Sequence, residues 1–225
     1  MKPFVIAFDL DDTLYKERDF VSSAFRAVSR LITSDLRSQK EYYEIMYQAW
    51  LHGENAFDTL QKVHPYTDIK PLLDAYRYHI PVIKLSQEVI DILQWLHSLE
   101  TCEIALITDG RSRTQRNKIN ILGLTQWIAD DNLFISEEQH HDKHDSDNFE
   151  ALMALHPDCN FYYVGDNIEK DFYHPNRLGW TTVQLNDIDH VNIFPQDLDF
   201  GEDHQAKIKI DHISELRQLI SCRQN

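Results

Sequence analysis

The sequence predicts an α/β domain wound on both faces of a parallel sheet and interrupted by a helical insertion. Three observations carry this reading. Apolar runs without alternation recur at Phe4–Phe8 (FVIAF), Ile104–Ile107 (IALI) and Phe161–Val164 (FYYV), the pattern of strands covered on both faces. Stretches of helical period separate them. Each run stops at a polar cluster, which places those clusters together at the carboxyl ends of the strands, where open α/β sheets bind ligands.

Taken in order, Phe4–Phe8 ends at Asp9-Leu10-Asp11-Asp12-Thr13. From about Asp19 to Tyr78 the pattern is helical throughout, with Val21, Ala24, Phe25, Val28, Leu31 and Ile32 in one stripe and Tyr42, Ile45, Met46, Ala49 and Trp50 in another. Its many aromatic side chains are the bulk a small helical bundle needs to fill its core. Ser86 is positioned to cap a helix carrying Val89, Ile90, Leu93, Leu96 and Leu99. Ile104–Ile107 ends at Thr108-Asp109-Gly110, and Thr114–Leu122 reads as the next helix. Leu133–Ile135 is a weaker strand, Glu137–Asp147 a polar loop, and Phe149–Leu155 a helix. Phe161–Val164 ends at Gly165-Asp166-Asn167, with Asp171 close behind. Thr181–Leu185 and Lys207–Ile210 complete the strands, and Ile213–Ile220 is a last helix.

Composition narrows the function. The chain has 225 residues, 42% of them apolar, enough for one core domain and an insertion. A formal net charge of −15 argues against nucleic acid or an anionic membrane as partner. No apolar run approaches the roughly 20 residues a membrane span needs, and the short run before Asp9 does not make a signal-peptide core. Cys102, Cys159 and Cys222 form no C-x-x-C pair and are odd in number, as expected of free thiols in a reducing cytoplasm. Carboxylates crowded at one sheet edge repel one another, and a hard divalent cation such as Mg²⁺ would relieve that repulsion.

FDLDDTLY at Phe8–Tyr15, ITDG at Ile107–Gly110 and VGDNIEKD at Val164–Asp171 together resemble the first, second and fourth motifs of the haloacid dehalogenase superfamily. The resemblance spans the chain and rests on three motifs in order, each after an apolar strand. It implies a Rossmann-like core from residues 1–16 and 82–225 and a helical cap from 17–81 between motifs one and two. It also implies a Mg²⁺-dependent phosphatase acting on a small phosphorylated metabolite. By position, Asp9 would attack phosphorus and bind the metal. Asp11 would be the general acid and then the base, its backbone carbonyl touching the metal. Thr108 would bind a phosphoryl oxygen, Asp166 would ligate the metal directly, and Asp171 would do so from the outer shell. The superfamily's dehalogenases generally lack the second aspartate, so Asp11 argues for phosphoryl chemistry.

Lys143 is the match for the third motif, a lysine commonly followed by proline; here His144 follows it. The alternative for Lys143 is a solvated loop lysine. Asp109, Gly110 and Arg111 are candidates for substrate binding; Arg111 has a surface arginine as its equal alternative, and Gln115 and Lys118 follow on the same helix. Asp12 is expected to be solvated or to bond the turn, and His140, His141 and His144 to lie on a solvated loop. A phosphosugar mutase and a non-catalytic interaction protein on the same scaffold are the competing readings. The substrate and the oligomeric state are left open.

Overall fold

The computed structural model describes residues 2–66 and 68–223. They form two compact units: one from residues up to Lys16 together with those from Lys84 onward, the other from Glu17–Ile83.

The first unit is built on a six-stranded, wholly parallel sheet. Its strands are β1 (Phe4–Phe8), β2 (Cys102–Thr108), β3 (Leu133–Ile135), β4 (Asn160–Gly165), β5 (Thr181–Leu185) and β6 (Ile208–Ile210), in spatial order 3-2-1-4-5-6. β1 is central, and all five of its residues are buried, as its unbroken apolar run requires. Strands β2 and β3 continue to one side of it, β4 to β6 to the other. The order therefore reverses beside β1, which creates the crevice where such sheets hold ligands. Register makes the crevice productive: Phe8 lies opposite Leu106 on β2 and Val164 on β4, and the Asp9 amide donates to the Val164 carbonyl (2.9 Å). The polar residues after the three strands thus emerge at one level.

One sheet face, through Val5, Ala7, Ala105, Ile107, Phe134 and Tyr163, packs on Phe149, Leu152, Ile168, Phe172 and Trp180. Phe149 sits edge-on to both Tyr163 and Trp180. Helix α5 (Gln87–His97) packs against β2 through its buried stripe of Val89, Ile92, Leu93 and Leu96, and Ser86 caps it by accepting from the Val89 amide (3.2 Å). Helix α6 (Ser112–Ile121) follows β2, α8 (Asp147–Leu155) precedes β4, α9 (Tyr173–Arg177) precedes β5, and α10 (Leu216–Arg223) closes the described chain. The polar stretch expected to be a loop contains a short helix, α7 (Ser136–Gln139). It is held because Glu137 accepts from the Ser112 amide (2.9 Å) and Glu138 takes Arg116 (2.7 Å) and the Ser112 hydroxyl (2.6 Å).

The second unit is all helical: α1 (Glu17–Ile32), α2 (Leu36–Leu51), α3 (Ala56–Val63) and α4 (Lys70–Tyr78). Asp35 and Asn55 cap α2 and α3. Phe20, Val21, Ala24, Phe25, Val28, Met46, Leu60 and Leu72 form the core, with Tyr76 edge-on to Phe20 and Phe57. Leu31, in the expected apolar stripe, lies in the last turn of α1 and is 54% exposed. His79 bonds Ser23 (2.7 Å), and burial holds its imidazole below the ordinary histidine range. Among the described residues no helix is long and apolar enough to cross a membrane.

Candidate active site

The end of β1 supplies the first carboxylates. After Phe8 the chain turns back on itself, with the Leu14 amide donating to the Leu10 carbonyl (3.0 Å) and Asp12 in the left-handed region (φ 59°), which aspartate tolerates. Asp9 and Asp11 are both presented at the sheet edge by this turn. Asp12 is buried rather than solvated, and its charge acts on Asp166.

Asp9, Asp166 and Asp171 converge, each offering a carboxylate oxygen within 4.8 Å of the others. Lys143 lies among them with no exposed surface, paired with Asp9 and with Asp171 (2.8 Å). The solvated alternative for this lysine is therefore not what the fold contains. Its position is fixed through Asp109, whose Oδ1 accepts the Lys143 amide (3.2 Å) and whose Oδ2 takes Lys170 (2.9 Å). Asp171 is fully committed: Oδ2 accepts the Asp166 and Asn167 amides (3.1 and 2.9 Å), and Oδ1 accepts Lys143 and the Tyr163 hydroxyl (3.3 Å). Gly165 is obligatory there, because a Cβ would stand 2.8 Å from the Asp171 Cγ.

Asp11 occupies a separate pocket of donors. Lys118 reaches both of its oxygens (2.7 and 2.9 Å), Gln115 donates to Oδ2 (3.0 Å), and Tyr15 donates to Oδ1. Gln115 also donates to the Thr108 hydroxyl (2.7 Å), so α6 ties the ends of β1 and β2 together. Gly110, at φ +140°, packs on the Gln115 side chain, and its amide donates to Ser136 (2.9 Å). Arg111 is more than half exposed and pairs with Glu137 (3.2 Å). His141 and Asp145, on the loop after α7, group near the surface with Asp147, the first residue of α8.

Six carboxyl groups, Asp9, Asp11, Asp12, Asp109, Asp166 and Asp171, thus face three lysines, 118, 143 and 170. The imbalance shows in their proton affinities. Burial, joined by Asp171 and opposed by Lys143, pushes Asp9 up to about 7. Burial, with Asp171, Asp9 and Asp12 adding to it, drives Asp166 well above the carboxylate range. Burial works against the Lys143 ammonium too, but Asp171 and Asp9 outweigh it and hold the lysine well above its ordinary value. At Asp11 burial is overcome by Lys118, and the carboxyl lies below its usual range. Two carboxylates two residues apart are therefore driven in opposite directions. The Asp9 and Asp166 oxygens make a buried, all-oxygen donor set with excess negative charge, which suits a hard divalent cation.

The structure brings together Asp9, Asp11, Thr108, Asp109, Gly110, Lys143, Asp166 and Asp171, and leaves Arg111 at the rim. The sequence noted Gln115 and Lys118 without a partner; their spacing puts them on one face of a helix that starts at a strand end, and that was the available signal. Tyr15 and Lys170 lie inside the motifs and Tyr163 inside an apolar run, but nothing in the sequence marked them individually, and Asn192 carried no signal.

The family model for haloacid dehalogenase-like hydrolases matches residues 5–172. The chain belongs to this hydrolase family. It is similar to the glyceraldehyde 3-phosphate phosphatase of Methanopyrus kandleri, at 27% identity over 96% of each chain. The phosphatase of the same name from Methanocaldococcus jannaschii is 28% identical over 80% of this chain and 83% of its own. Among solved structures, the magnesium-bound hydrolase YfnB of Bacillus subtilis shares the fold with a TM-score of 0.69 at 19% identity, covering 98% of this chain and 99% of the other. A 2-haloacid dehalogenase from Pseudomonas syringae does so at 0.65 and 17%, over 98% and 99%.

Proposed function

We propose that the protein is a Mg²⁺-dependent phosphatase that hydrolyses a small phosphate monoester through a phosphoryl group carried on Asp9. The observation that carries this reading is the buried cluster of Asp9, Asp166 and Asp171 around Lys143, with a second aspartate, Asp11, separately held two residues from the first.

Asp9 and Asp166 would hold the cation directly. Asp171 has both oxygens engaged and contributes charge and support from behind them. When bound, the ion supplies positive charge that keeps Asp9 ionised and offsets the charge of the phosphoryl oxygens. The chain's own residues then divide the work. An Asp9 oxygen attacks phosphorus; the bond from phosphorus to the ester oxygen breaks, and Asp11 gives that oxygen a proton. Water next attacks phosphorus, Asp11 takes a proton from it, the bond to Asp9 breaks, and inorganic phosphate leaves. Lys143 and Thr108 stabilise the charge on the phosphoryl oxygens. Asp11 is ionised in its bonded state, so the approach of a phosphate dianion must raise its proton affinity before it can act as the acid.

The helical unit, Glu17–Ile83, is the candidate cap that selects the substrate, since every motif lies outside it. The names of the archaeal relatives support glyceraldehyde 3-phosphate as the first substrate to try. The test is phosphate release from a panel of phosphorylated metabolites, that triose phosphate and an aryl phosphate among them, with Mg²⁺ and after exhaustive chelation. Release that stops on chelation and returns with Mg²⁺ or Mn²⁺ supports the reading; chelation-insensitive release overturns the metal assignment. Phosphate that reappears on another hydroxyl of the substrate, with none set free, overturns hydrolysis in favour of mutase chemistry.

A further inference from the structure

The connection between β5 and β6, residues 186–207, is longer than sheet connections usually are, and such loops tend to have a task. Here it runs back to the active edge and grips the loop after β4. Asn192 Nδ2 donates to Asp166 Oδ2 (2.9 Å), and Gln196 Nε2 donates to the Asp166 carbonyl and to the Leu185 carbonyl (both 2.9 Å). Farther along, His204 bonds the Glu169 carbonyl (2.9 Å). The strap therefore touches Asp166 twice, once at the carboxylate and once at the backbone.

The Asn192 amide is not free to turn. Its Oδ1 accepts from Lys16 Nζ (2.9 Å), which can only donate, so Nδ2 is the end presented to Asp166. Its backbone amide donates to Asp187 Oδ2 (2.8 Å), and the Asp187 amide in turn donates to Gln196 Oε1 (2.8 Å). Lys16 lies 3.7 Å from Asp187 as well. A closed network thus joins the turn after β1, the strap and Asp166. A lysine on the amide oxygen polarises the amide and strengthens the bond its nitrogen makes.

We infer that Asn192 is a positioning residue for the cation site: it holds one oxygen of Asp166 so that the other is presented to the ion at a fixed angle. This rests on the metal reading above. An amide suits the task because it donates to a carboxylate without adding a charge to compete with the cation. Outer partners of this kind typically change metal affinity by about 10- to 100-fold when removed.

The experiment is direct titration of the purified full chain with Mn²⁺, followed by the electron paramagnetic resonance of the free ion, with no substrate present. Asn192→Leu, close in size but without a donor, should raise the Mn²⁺ dissociation constant at least about tenfold. Its kcat at saturating Mg²⁺ should fall less than its apparent affinity for Mg²⁺, because excess cation refills a loosened site. Ile188→Ala, an exposed change on the same strap, should bind Mn²⁺ like the natural chain. If Asn192→Leu does not fold, Lys16→Met decides. That change falls at a side chain 37% exposed, frees the amide to turn, and should weaken Mn²⁺ binding severalfold. Unchanged Mn²⁺ affinity in these variants, or an equal loss in Ile188→Ala, would overturn the role of Asn192 while leaving the metal reading intact. A natural chain that binds no Mn²⁺ would overturn the metal reading and this inference with it.

Discussion

Replacing Gly165 by alanine adds one methyl group at the least tolerant point of the site. The new Cβ would lie 3.0 Å from the Asp171 Cβ, 2.8 Å from its Cγ and closer still to its Oδ2. Carbon atoms are comfortable at about 3.5–4.0 Å, so the Asp171 carboxylate must retreat by roughly 0.7 Å or more. It has nowhere to go: Asp171 has no exposed surface, and its Oδ2 is held by the Asp166 and Asn167 amides at 3.1 and 2.9 Å. Retreat stretches both bonds beyond useful length. Bonds to a charged group contribute about 1.5–3 kcal/mol each, so the cost of losing both should be about 3–6 kcal/mol. In a chain of this size that lowers the midpoint of thermal unfolding by about 10 °C. The assay is a double-mutant cycle by urea unfolding with Asp171→Ala, which removes the Cγ and Oδ2 that the methyl group strikes hardest and leaves only the Cβ at 3.0 Å. Gly165→Ala should then cost at least about 2 kcal/mol less than in the natural background. An equal cost in both backgrounds, or a cost below about 1 kcal/mol in the natural one, would refute the close-approach argument.

Asp9→Asn should abolish trapping of phosphoenzyme by rapid quench, whereas Asp11→Asn should still form it from aryl phosphates. From alkyl phosphates, whose leaving oxygen needs a proton, Asp11→Asn should be slower by about 10²–10⁴-fold; equal trapping from both ester types would remove Asp11 from the acid role. Lys118→Met takes away the ammonium that outweighs burial at Asp11, so the alkaline limb of alkyl-ester hydrolysis should move to higher pH; a limb that stays in place would show that another group supplies the proton. Finally, protein stripped of divalent cations should lose stability as pH rises from about 4 to about 7. Asp9 binds its proton up to about 7 in the folded chain but only to 3.8 in the unfolded one, and Asp166 shifts the same way, so the native state holds more protons across that window. Melting temperatures in chelator that rise with pH over this range would contradict the burial argument, and Mg²⁺ should flatten the dependence.

The parts of this molecule legible in the sequence are those with local signals. Phe4–Phe8 and Phe161–Val164 could be read because a strand buried on both faces has no polar alternation to hide it, and the acids that end them follow directly. Ser86 was legible because a cap and its apolar stripe share one helix. The short α7 was not, since it depends on Ser112 and Arg116 from a distant helix. Lys143 could be named from a resemblance, but its burial could not, because its partner Asp9 is 134 positions away. Asn192 had no signal at all: an asparagine in a polar connection becomes informative only when the strap is seen to return to Asp166.

The central place of β1 also bears on how the chain is made. β1 leaves the ribosome first among the strands, yet its two edges are paired by β2 and β4, which come much later in the chain. At about 5–20 residues per second, β1 waits on the order of ten seconds before β4 is synthesised. FVIAF is an apolar segment with both edges open until β2 emerges and one edge open until β4 does, the kind that aggregates capture. The helical unit lies between β1 and β2, and each of its helices packs on others of the same unit, so it can fold during the wait. Placing a fast-folding segment between the first strand and its partners lets the chain begin to fold before its sheet can close.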